Sequence, residues 1–196
     1  MNKTEEQITK QKETFRYGQT VNARVITFTS MFAALTAILS QLTFPLPFSP
    51  VPISLALISP IIAGMAAGWK AGATSQVVYL LLGTAGLPVF AGMKGGLSVL
   101  AGPTGGYIVG YVLCAFATGM VVKIAGKKIW SYIIAGFAGV AVCYAAGTAW
   151  FIFQTGNTLV AAMTMCVIPF LPGDCFKIAL AVFVAVSLQK RKIKVL

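Results

Sequence analysis

Long apolar stretches alternate with short connections along most of the chain. They fall at about residues 25–42, 53–68, 71–86, 103–122, 129–153 and 174–188. A bilayer span takes ~20 apolar residues, so the pattern predicts six transmembrane helices and an all-α integral membrane protein. A further apolar stretch, 158–170, is too short to span. Counting it would also turn the basic C-terminus to the other side, so it is expected to be a short re-entrant or interfacial helix. Residues 1–24 are polar and mixed in charge. They lack the apolar run and small-residue cleavage site of a signal peptide and are expected to form a tail. The domain plan is therefore a tail (1–24), one transmembrane domain (25–189) and a basic C-terminal tail (190–196).

The second, third and sixth stretches are shorter than a bilayer requires, and their deficits lie on one side. The connections there, 43–52, 87–102 and 154–173, are apolar and rich in glycine or proline. Irregular backbone at membrane depth persists only where it is buried in protein or lines a cavity. Broken helices around a substrate are a recurrent transporter device. The pattern thus predicts a pocket in that half, walled by these connections. Small-xxx-small spacings (Gly64, Gly68 and Gly72; Gly102, Gly106 and Gly110; Ala33 and Ala37) suit close helix packing, and on the first helix they also suit docking onto a partner.

Charge gives this bundle a direction. There are 15 Lys plus Arg against 4 Asp plus Glu, a net charge of +11, yet only 10% of residues are charged. The basic residues punctuate the apolar stretches instead of forming a polar face with aromatics, which argues against nucleic acid as a partner. With the N-terminal tail in the cytoplasm, 13 of the 15 basic residues fall on the cytoplasmic side and the C-terminus joins them, as the positive-inside rule requires. The exceptions are Lys94 and Lys177.

Those exceptions carry the candidate chemistry. Asp174 is the only acid beyond the tail, and Lys177 follows three residues later on the same helix face. Asp174 sits where a helix begins and would suit its positive end. Ionisable groups at membrane depth are costly, however, and mark functional sites. An Asp–Lys pair offers acceptors and donors together, which suits a urea or amide. Lys94, in a glycine-rich apolar loop, suits an anionic group. Tyr79 and Tyr107 border that loop and are further ligand candidates, while Gln41 and Gln76 suit hydrogen bonds between helices. The run from Gly83 to Gly106 contains no GxxxxGK[ST], so ATP hydrolysis by a Walker-type site is not expected. With no His and no CxxC, zinc, haem and His-based catalysis lack support and no cofactor is expected. Cys114, Cys143, Cys166 and Cys175 are expected in the core.

The strings SPVPISL (49–55), YLLLGTAGLPVFAG (79–92), KGGLSVLAGPTGGY (94–107) and FLPGDCFK (170–177) resemble the BioY family. These are the biotin-binding substrate components of energy-coupling-factor (ECF) vitamin transporters in the bacterial cell membrane. The resemblance runs from the first helix to the last. It implies a six-helix bundle with an outward-facing pocket, in which Lys94 meets the valerate carboxylate of biotin and Asp174 with Lys177 meets its ureido ring. It implies uptake energised by separate partners, a transmembrane coupling protein and two ATPase subunits, with Ala33 and Ala37 docking on the former. Where many relatives carry glutamine after the PVP motif, this chain has Ala56. Two other functions remain open on the residues alone. A membrane-embedded enzyme using Asp174 and Lys177 has one carboxylate and no His to work with, and a self-sufficient secondary transporter would need coupling-ion sites.

Overall fold

The structure is a computed structural model that describes residues 23–47 and 49–190. The expected tails, 1–22 and 191–196, lie outside the described residues. Helix α1 spans Ala23–Gln41. An antiparallel ribbon follows, β1 (Thr43–Leu46) and β2 (Ser49–Ser54), then α2 (Ile58–Thr84), the single turn α3 (Leu97–Leu100), α4 (Gly105–Ala125), α5 (Ile129–Thr155) and α6 (Leu159–Cys166). A 3-10 turn at Ile168–Phe170 leads into α7 (Leu171–Lys190).

Helix α2 contains the second and third predicted segments. Gly68 adopts φ 78°, ψ 173°, a left-handed conformation open to glycine without a Cβ penalty, and the chain doubles back there. A Cβ on Gly72 would lie 3.0 Å from backbone atoms of both Ala63 and Gly64. Eight residues of continuous helix would separate such positions by ~12 Å. The α2 limbs are short, as expected. Helix α7 is not, because it begins at Leu171, three residues before the predicted start, where Pro172 fits the first turn and the preceding 3-10 turn feeds it. Helices α1, α4 and α5, and the stretch Leu159–Lys190, are each long and apolar enough to cross a membrane.

Helix α4 packs between α2 and α5. Glycine permits the close approach: a Cβ on Gly64 would meet the Ala115 carbonyl at 2.6 Å, and one on Gly110 would meet the Cys143 sulfur at 3.0 Å. The core runs from Ile58, Ile61 and Met65 on α2 through Cys114 on α4 to Ile178 and Val182 on α7. Between α1 and α2, buried Thr36 bonds with Ser59 (2.8 Å) and Gln76 (3.1 Å), the interhelical role expected of Gln76.

The two ends of the bundle differ. At one, Lys70 from the α2 turn and Lys123 from α4 lie over the Trp69 ring, at 5.2 and 5.5 Å, and the Gln189 side chain donates to the Lys127 carbonyl at 3.0 Å. The first and last described residues both belong to this basic end. The other end is irregular. The expected proline-rich connection at 43–52 falls within a small two-stranded ribbon, an addition to an otherwise helical fold. Thr43 pairs with Ser54, Phe44 with Ile53 and Leu46 with Ser49. Proline removes donors and bars a helix, while the ribbon still pairs the remaining backbone groups that an apolar setting leaves costly. Within 158–170 lies the eight-residue helix α6, by itself shorter than a span.

Candidate functional site

Asp174 lies in the first turn of α7 and is 2% exposed, with Lys177 at 4%. Their spacing sets them on one inward face, and Lys177 Nζ donates to Asp174 Oδ1 at 2.8 Å. The hydroxyl of Tyr144, from α5, donates to Asp174 Oδ2. Two side chains thus hold the carboxylate, and each oxygen keeps acceptor capacity toward the cavity. An uncompensated charge here would be expensive, whereas this arrangement neutralises it and fixes its orientation.

Lys94 is positioned by backbone. Its N–H and carbonyl pair with Phe90 (3.3 and 2.9 Å), closing a turn in which Gly92 and Met93 have φ of 71° and 59°. A non-glycine residue at positive φ is uncommon. The Met93 N–H donates to Gln41 Oε1 at 2.9 Å, and the Gln41 amide donates to the Phe90 carbonyl at 3.2 Å. Gln41 therefore clamps this loop as well as bonding within its own helix. Phe90 is the anchor: it is fully buried and meets Tyr79 edge to face at 5.6 Å. Tyr79 also donates to the Val89 carbonyl at 3.2 Å. Lys94 itself is exposed and stands at the mouth of the site.

These groups border two adjoining spaces, the two arms of the site, which share a wall. A space of about 50 Å³ is lined by Asp174, Lys177, Tyr144, Cys143, Cys166 and Phe170 among others. A space of about 130 Å³ is lined by Lys94, Tyr79, Ser40, Ala91, Thr104 and Ile108 among others. Val51, Pro52, Ser54, Tyr107 and Tyr111 line both. The structure thus sets Lys94 and Tyr79 beside one space and Asp174 and Lys177 beside the adjoining one, with Tyr107 in the wall they share. The Tyr107 hydroxyl lies 3.3 Å from Thr148 Oγ1, and its ring meets Tyr144 edge to face.

Sequence reasoning missed Tyr111 and Tyr144. Tyr111 follows Tyr107 by one helical turn, and a tyrosine deep in an apolar helix needs a partner for its hydroxyl; either signal was available. Ala56 is fully buried. Cys175 corrects the expectation of four core cysteines: it is exposed while the other three are buried, because one step along the helix rotates it ~100° from inward-facing Asp174. The proposed docking pair also departs from expectation. Ala33 is 2% exposed and packs with Tyr79, Phe90 and Ile108, with Ala37 partly buried against the same cluster. Their small size brings α1 close to the Lys94 loop and α4, and the outward positions of this helix include Ser30 and Ala34.

A membrane helix bundle whose irregular end encloses a cavity, with a cation at one arm and an ion pair at the other, has the form of a substrate-binding membrane component. The fold agrees with a crystal structure of the S-component for biotin from an ECF-type ABC transporter, at a TM-score of 0.80 and 30% identity over 87% of this chain and 93% of that one. The S component of a bacterial ECF transporter shares the fold at a TM-score of 0.56 and 20% identity, covering 88% of this chain and 96% of that one. The BioY family model matches residues 10–194, and the chain belongs to the BioY family. It is 34% identical over 164 residues to the biotin transporter BioY of Thermotoga maritima, covering 84% of this chain and 95% of that protein. It is also 34% identical to a probable biotin transporter BioY of Pyrococcus horikoshii, covering 86% and 98% respectively.

Proposed function

We propose that this chain captures biotin at the irregular end of the bundle and serves as the substrate-specific subunit for its uptake. The observation that carries this reading is the pairing of Lys94 beside one space with the buried Asp174–Lys177 pair beside an adjoining one that shares its wall. Biotin has matching chemistry at its two ends. Its carboxylate suits the Lys94 ammonium. Its ureido N–H groups suit the free acceptor capacity of Asp174, and its ureido carbonyl suits Lys177. Tyr79, Tyr107 and Tyr111 offer apolar rings to the carbon skeleton between those ends.

Uptake needs energy from elsewhere, since the chain has no Walker motif. A transmembrane coupling protein and two ATPase subunits supply it. The basic end of the bundle faces the cytoplasm, as the positive-inside rule demands, and the cavity faces outward.

Calorimetric titration of the purified chain in detergent tests the reading. Biotin should bind saturably, and biotin methyl ester, its carboxylate masked, roughly ten- to hundredfold more weakly, the scale of one hydrogen bond to a charged group. A folded chain that shows no saturable biotin binding would overturn the proposal.

A further inference from the structure

A second concavity lies away from the substrate cavity, on the outer flank of the bundle between α5 and α7. It has a volume of about 460 Å³ and runs from Cys175 to Lys190. Fifteen helical residues at 1.5 Å each make it roughly 22 Å long. Its floor is Ile178 and Val182, both buried, and Phe137 and Phe183 stand exposed along it. Apart from Ser187, its lining is apolar until the last residue, Lys190.

Charge gathers at that one end. Ile129, the first residue of α5, lines the groove, and Lys127 and Lys128 directly precede it. The Gln189 side chain holds the end of α7 to the Lys127 carbonyl at 3.0 Å. Among the described residues the only acid is Asp174, at the opposite end of α7 and already engaged by Lys177 and Tyr144. Lys190 lines this end of the groove, Lys127 and Lys128 stand in the chain beside Ile129, which lines it too, and among the described residues no carboxylate lies at this end.

We infer that this groove is a binding site for an anionic phospholipid. The acyl chain lies along Val186, Phe183 and Val182, and the phosphate sits among Lys127, Lys128 and Lys190. An occupant must be apolar along its length and anionic at one end, which is the constitution of such a lipid. One leaflet is ~15 Å deep, so a chain anchored at Lys190 follows about ten residues of α7, as far as Ala179 and Leu180. Basic pockets between helices at an inner membrane surface are a recognised setting for anionic headgroups.

Native mass spectrometry of the full chain, exchanged into detergent with defined amounts of phosphatidylglycerol or phosphatidylcholine of identical acyl composition, tests the site. The expected result is a one-to-one phosphatidylglycerol adduct, with phosphatidylcholine retained roughly tenfold less. The triple substitution Lys127→Gln, Lys128→Gln and Lys190→Gln should lower phosphatidylglycerol retention roughly tenfold or more, from ~1 kcal/mol per lysine. Ala179→Trp should block the groove and lower retention of both lipids. Far-ultraviolet circular dichroism confirms that each variant is folded, and surface lysine substitutions give a folded comparison should Ala179→Trp fail. Equal retention of the two lipids, or an adduct unmoved by the lysine substitutions, overturns the inference. A chain dimer that Ala179→Trp abolishes would likewise overturn it, assigning the groove to a second copy.

Discussion

The two arms of the site hold their charged groups by opposite means. In one, Asp174 and Lys177 are carried on a single helix, buried and tied to each other and to Tyr144. In the other, Lys94 is exposed and its place is set by a loop in which Gly92 and Met93 take positive φ and Gln41 clamps the backbone. A helix guarantees the relative geometry of two residues three apart. A loop allows a single charge to be placed where no helix end reaches, at the cost of local strain. The helical arm is therefore expected to contribute to both stability and binding, and the loop arm to binding alone.

Asp174→Ala should break this contrast most severely. It leaves Lys177 buried without its partner, a loss of ~3–5 kcal/mol of stability, seen as a lowered midpoint of thermal unfolding together with loss of biotin binding. Unchanged melting would show that the pair is not the buried neutralising unit described here. Lys94→Gln should weaken biotin binding by ~1.5–3 kcal/mol with melting unchanged, and should abolish the difference between biotin and its methyl ester. If that difference survives, Lys94 does not meet the carboxylate. Tyr144→Phe removes one hydrogen bond to Asp174, and a loss of ~1–2 kcal/mol in biotin affinity is expected by titration; an affinity equal to wild type would leave the hydroxyl without a role. Met93→Val is the mildest. A β-branched residue is strained at positive φ, so biotin affinity should fall several-fold while the bundle melts as before. A matching drop in melting would show that the loop supports the fold as well as Lys94.

The helical arm was legible in the sequence and the loop arm only partly so. The i, i+3 spacing of Asp174 and Lys177 fixes a shared face once α7 is recognised, and the misplaced start of α7 did not disturb it. Lys94 stood out because it broke the charge pattern, but its approach to Tyr107 depends on the buried Phe90 anchor and on Gln41, contacts made across tens of residues. Tyr144 was hidden for a different reason: Asp174, its partner, lies 30 residues away on another helix, and no local spacing encodes that meeting. Prolines announced that 43–54 could not be helical, yet pairing of Thr43 with Ser54 depends on the two strands facing each other at a given register. Small residues on α1 identified a packing face correctly in kind, but the sequence could not say whether Ala33 meets a neighbour in the same chain or in another.

The outward turn of Cys175 has a practical consequence. Of the four thiols in the chain, three are buried and one is exposed, so a maleimide fluorophore or spin label added to the unaltered protein should attach first at Cys175. That place is the residue next to Asp174, on the reverse side of the helix that bears the ion pair. The chain thus carries a native reporter site close to its most consequential charge, and a change in the tilt of that helix could be followed by spectroscopy without altering a single residue of the cavity.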